Sequence, residues 1–150
     1  MSNSYLQPAP LLLDLTTPSD AVRIRDVRHA VESFAKVAGL SEAASDSLGL
    51  CLNEALANVI RHAYEGAPDK PIRVIAEAPA PSTVRVSVRD WGNGVDPSQM
   101  PAKPRDPLEP GGIGLVCLKE LMDEVLFTPQ PDGMLLTLTK RGGPADGQRS

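Results

Sequence analysis

The stretch PIRVIAEAPAPSTVRVSVRD, Pro71 to Asp90, constrains the fold of this chain more than any other. Val84, Val86 and Val88 alternate with Arg85, Ser87 and Arg89, a period of two that belongs to a strand with one buried and one wet face. PIRVIAEA reads as a second strand, and the turn PAPS joins the two. Neighbouring strands so connected pair antiparallel, and their apolar face must be covered by other parts of the chain.

Helical patterns on either side supply that cover. In TPSDAVRIRDVRHAVESFAKVAGL, Val27, Ala30, Val31, Phe34 and Ala38 recur at helical spacing, Ser19 is placed to cap, and Gly39 to stop the helix. A second helix is expected from about Ser41 to His62, with the stripe Leu48, Leu52, Ala55, Val59 and Ala63. LLLDLTT, from Leu11, reads as a strand; so do EVLFT and MLLTLTK, the latter after the turn PDG. IGLVCLKELMDEV resumes helical periodicity. Between Asp96 and Pro110, prolines at 97, 101, 104, 107 and 110 exclude a helix, because each removes a backbone donor. The expected fold class is α+β: a two-layer sandwich of a mostly antiparallel sheet with helices on one face.

At 150 residues the chain suits one domain, expected at 10–140 between a disordered N-terminus, 1–9, and a disordered tail, 141–150. Fifteen Lys and Arg against nineteen Asp and Glu leave a net charge of −4, and the basic residues are scattered. With so few aromatics as well, direct nucleic-acid binding is not expected. Cys51 and Cys117 sit in apolar helical patterns and read as core fillers. No apolar run is long enough for a bilayer and MSNSYLQPAP has no signal-peptide character, so a cytoplasmic location without membrane attachment is expected.

Three places carry chemistry. In NEALANVIRHA, Glu54, Asn58 and His62 follow one another at i+4 and share a face of a helix that is otherwise apolar almost all round. Such a line is either a solvated stripe or a site, and a carboxylate among apolar neighbours must face a cavity, a cation or water. A carboxamide oxygen is a hard ligand for Mg²⁺, and a nearby carboxylate can orient or deprotonate a nucleophile. In VRDWGNGVD, Asp90 ends a valine-rich strand where Gly92 and Gly94 follow. This is either a turn or an acceptor for an exocyclic amine such as that of adenine, with glycines letting backbone approach a flat ring. In PGGIGLVCLKEL, Gly111, Gly112 and Gly114 open a helix, either as a linker or as room for phosphate at free N–H groups. Neither GxxxxGK[ST] nor GxGxxG occurs.

E-x-x-x-N on a helix, D-x-G-x-G after a strand and G-x-G-L opening a helix, in that order, resemble the three nucleotide-binding boxes of the histidine-kinase-like ATPase superfamily over roughly Leu11 to Lys140. Within it the chain looks most like the small serine/threonine kinases that act as anti-sigma factors in bacterial partner switching. NEALANVIRHAYEG, with an aromatic after His-Ala, and GGIGLVCLKELMDEV carry that likeness. The resemblance implies a Bergerat-type ATP-binding fold, ATP and Mg²⁺ as cofactors, Glu54 as general base and Asn58 as metal ligand. It implies Asp90 reading the adenine amine, Gly92 and Gly94 shaping the base pocket, and Gly112, Gly114 and Leu115 at the phosphates. Asp96 to Pro110 falls where the family has its nucleotide lid, from which Arg105 or Lys103 would approach the γ-phosphate. His62 is expected in a structural hydrogen bond. The partners implied are an anti-anti-sigma (STAS-type) protein substrate, a sigma factor or similar client, and a second copy in a homodimer. The alternatives are a nucleotide-responsive regulator that transfers nothing and an ATPase that moves a lid.

Overall fold

The computed structural model describes residues 11–92 and 114–143. Their order is β1 (Leu12–Pro18), α1 (Ala21–Val37), α2 (Glu42–Asn58) continued by a π-helical turn (Val59–Ala63), β2 (Pro71–Ala80), β3 (Thr83–Asp90), α3 (Gly114–Leu121), β4 (Glu124–Gln130) and β5 (Gly133–Arg141). The strands form one sheet in the order β1-β2-β3-β5-β4, and every neighbouring pair is antiparallel.

The valine alternation has the consequence read from it. Val84, Val86 and Val88 point into a core with Ile72 and Val74 of β2 and Leu138 of β5. Val31 of α1 and Leu48, Leu52 and Leu56 of α2 cover them and are fully buried, each worth about 1.5–3 kcal/mol relative to exposure. The opposite face carries cross-strand ion pairs, Arg73 with Asp14 at 2.7 Å and Arg85 with Glu77 at 3.1 Å. These are exposed and contribute little. Among the described residues no helix is long and apolar enough to cross a membrane.

Two local expectations are corrected. Asp20, not Ser19, caps α1, its Oδ1 accepting from Val22 N at 2.9 Å. Ser19 is buried and its hydroxyl donates to the Ala67 carbonyl and accepts from Lys70 N, tying the start of α1 to the loop before β2. The helix expected over IGLVCLKELMDEV ends at Leu121, because Glu124 onward pairs with β5. Lys140 Nζ donates to the Leu121 carbonyl at 2.7 Å, where a cation meets the negative end of the helix.

The β4–β5 turn lies directly against the end of β3. Gly133 adopts φ +152°, and a Cβ there would stand 2.0 Å from the Asp90 carbonyl oxygen. Gly133→Ala is expected to cost about 1–3 kcal/mol, from backbone strain and the forced shift of Asp90. A urea unfolding midpoint unchanged by the substitution would contradict this.

Candidate functional site

Ser41 starts α2 by accepting Ala44 N at 3.1 Å, and the helix then runs under the sheet with one polar strip. Glu54 is half-buried, and its Oε2 is shielded from solvent with no hydrogen-bond partner. An acceptor oxygen shielded from water without a donor is unfavourable unless something is bound to it. One turn on, Asn58 Oδ1 accepts from Arg61 Nη2 at 2.8 Å, so a positive group already sits at this oxygen.

His62 lies past the end of the α-helix proper. The α-helix ends at Asn58, and Val59–Ala63 is wound as a π-turn, with Tyr64 N bonded to the Val59 carbonyl and Gly66 N to the Ile60 carbonyl. His62 lies within this turn and is exposed, whereas Glu54 and Asn58 are half-buried.

This turn brings the first box to the second. Asp90 closes β3, paired with Ile72 on one side and Met134 on the other, and is only 3 % exposed. Its Oδ1 accepts from Gly92 N at 3.0 Å. Burial raises the Asp90 carboxyl above its ordinary range, and the N–H of Gly92, the charge of Arg89 and the N–H of Met134 offset part of that rise. Gly92 packs on the π-turn so closely that a Cβ would lie 2.3 Å from the Ala63 carbonyl oxygen. A cavity of about 270 Å³ lies at this junction, lined by Ala63, Tyr64, Glu65, Lys70, Trp91 and Gly92. A larger groove of about 390 Å³ between β1 and α1 holds none of the expected site residues.

Gly114 and Leu115 are the first two residues of α3, which packs against α2. Gly94, Gly112 and Arg105, with Lys103 and the stretch Asp96 to Pro110, lie outside the described residues. The described part of the site therefore consists of Glu54 and Asn58 on α2, Asp90 and Gly92 at its π-wound end, and the start of α3.

Sequence reasoning passed over three side chains here. Arg61 sits on the Asn58 oxygen. Arg89 donates to the Asp90 carbonyl, bonds Asp132 Oδ1 at 2.5 Å, and holds its guanidinium 4.6 Å from the Trp91 ring centroid. Tyr64 is 7 % exposed, and its hydroxyl donates to the Pro71 carbonyl and accepts from Trp91 N. Burial raises the Tyr64 phenol, so it keeps its proton and both bonds. Only Tyr64 had a sequence signal, as the aromatic after His-Ala.

Comparison with known proteins bears on the family and the fold. The Histidine kinase-like ATPase domain family matches residues 17–140. An anti-sigma F factor of Heyndrickxia coagulans is 33% identical over 94 residues, 59% of this chain and 64% of that protein, so the match spans less than two thirds of that relative. The serine-protein kinase RsbW of Staphylococcus aureus is 24% identical over 136 residues, 85% of each chain. In fold, the crystal structure of the RsbU and RsbW domains of Rv1364c from Mycobacterium tuberculosis superposes with a TM-score of 0.64 at 23% identity, covering 89% of this chain and 33% of that one. A match over residues 17–140, most of the chain and including both long helices and strands β2 to β4, shows that this chain belongs to the histidine kinase-like ATPase domain family.

Proposed function

We propose that the chain is an anti-sigma-type serine/threonine-protein kinase: it binds Mg-ATP, phosphorylates a hydroxyl of an anti-anti-sigma (STAS-type) antagonist, and holds a sigma factor or similar client. The observation that carries the reading is the unpartnered, shielded Oε2 of Glu54, one helical turn from a carboxamide oxygen that already attracts a cationic group. A purely structural helix gains nothing from such an acid.

Glu54 would take the proton of the attacking serine or threonine hydroxyl as its oxygen bonds to the γ-phosphorus and the bond to the β-phosphate oxygen breaks, releasing ADP. Asn58 would offer Oδ1 to the metal, with the Arg61 guanidinium giving way. Mg²⁺, when bound, neutralises charge on the phosphate oxygens and holds them for in-line transfer. Asp90 would accept the adenine amino N–H, and Gly92, carrying no Cβ, lets that corner pack directly on the π-turn. Gly114 and Leu115 would present backbone N–H groups from the first turn of α3. Gly94, Gly112 and Arg105 complete the proposal by resemblance alone.

The names of the relatives support the partner classes: one is an anti-sigma factor, another a serine-protein kinase. Incubation with γ-labelled ATP, Mg²⁺ and candidate STAS-type antagonists should put label on a serine or threonine of one antagonist. A chain that binds ATP and leaves every antagonist unlabelled would instead be the nucleotide-responsive regulator. A homodimer belongs to the same proposal, and sedimentation should find twice the chain mass.

A further inference from the structure

The strand pair β2–β3 ends in register at Ile72 and Asp90, and continuing that register one step would set Pro71 opposite Trp91. Pro71 has no N–H to give. Between these two positions lies the Tyr64 hydroxyl, which accepts from Trp91 N at 2.8 Å and donates to the Pro71 carbonyl at 2.5 Å. A side chain from the end of the first-box helix thus stands where the two strands would otherwise meet.

The geometry points to Tyr64 as the positioning residue of the base site: its hydroxyl ends the β2–β3 ladder and sets the backbone on which Asp90 and Gly92 are held relative to α2. Three links join it to that site. Trp91, whose N–H it holds, lies between Asp90 and Gly92. The Gly92 N–H in turn fixes the Asp90 carboxylate at 3.0 Å. Tyr64 also follows directly on the π-turn whose Ala63 carbonyl packs on Gly92. The ring is buried in the core, so the phenol has little freedom to move independently of α2. Removing the hydroxyl leaves the Trp91 N–H and the Pro71 carbonyl either to approach each other or to admit water, and either change moves the corner that carries Asp90. This rests on the proposed ATP site, and it assigns Tyr64 no contact with the nucleotide.

Tyr64→Phe keeps the ring and removes only the two bonds. Calorimetry with Mg-ATP should show a dissociation constant about tenfold higher than wild type. The KM for ATP in the antagonist-labelling reaction should rise to match, with kcat at saturating ATP within about twofold. Amide exchange at Trp91 should be slow in the wild type and faster in Tyr64→Phe, because its acceptor is gone. A folded Tyr64→Phe protein with wild-type ATP affinity would overturn the assignment. If the variant does not fold, the wild type decides alone: fast exchange at the Trp91 amide overturns the role and slow exchange supports it. If the wild type takes up no ATP, the kinase reading fails, and Trp91 exchange still tests what Tyr64 holds.

Discussion

Glu54→Gln should lower phosphoryl transfer to the antagonist by a factor on the order of 10² to 10⁴ while leaving ATP bound. The glutamine keeps the size of the side chain and breaks no hydrogen bond at Oε2, which has none among the described residues. What it removes is the ability to take a proton from the attacking hydroxyl. A single-turnover assay with preloaded ATP separates this from binding, since only the transfer step is observed. Transfer at the wild-type rate would show that the orphaned carboxylate serves the fold or the metal rather than the chemistry.

Asp90→Asn should weaken ATP by about ten- to a hundredfold, with transfer at saturating ATP little changed. Oδ1 of Asp90 is already committed to the Gly92 N–H. In the asparagine variant the carboxamide oxygen goes to that N–H, and the amide NH₂ is left facing the adenine amine, donor against donor. The wild-type carboxylate should also make ATP affinity depend on pH. Burial raises its folded-state pKa, so protonation, which replaces the acceptor by a hydroxyl, sets in at a higher pH than for an ordinary aspartate. Affinity measured on acidification should therefore fall earlier than a normal carboxylate would allow, and in Asp90→Asn that early fall should be absent. Stability responds with the opposite sign: a raised folded pKa contributes stability that is present below the unfolded value and is lost as pH rises through the folded one. Acidification across that window would thus relieve the fold at Asp90 while releasing the nucleotide.

Much of the fold was legible because its signals are local. The alternation at Val84, Val86 and Val88 depends only on strand geometry, and those side chains are buried in the sheet as expected. Gly39, at φ +105°, stops α1 where the sequence placed the stop. Helix ends were read less well where a competing bond decided them. Ser19 is as good a cap as Asp20 by residue type, but its hydroxyl is drawn to Ala67 and Lys70, far along the chain. The expected helix past Leu121 has suitable periodicity, and it yields to ladder bonds with β5 that no short window contains.

The sequence by itself determined the strand and helix types, the face each buries, the three boxes and with them the family, because residue order and periods of two and 3.6 are properties of neighbours in the chain. Tertiary structure alone decided that the helix widens into a π-turn at Val59–Ala63, where its end packs on Gly92. It alone decided how deeply Asp90 is buried, and that the Tyr64 hydroxyl joins Pro71 to Trp91. Those outcomes depend on distances between segments that meet only when the sheet and helices pack, and spacing along the chain carries no record of them.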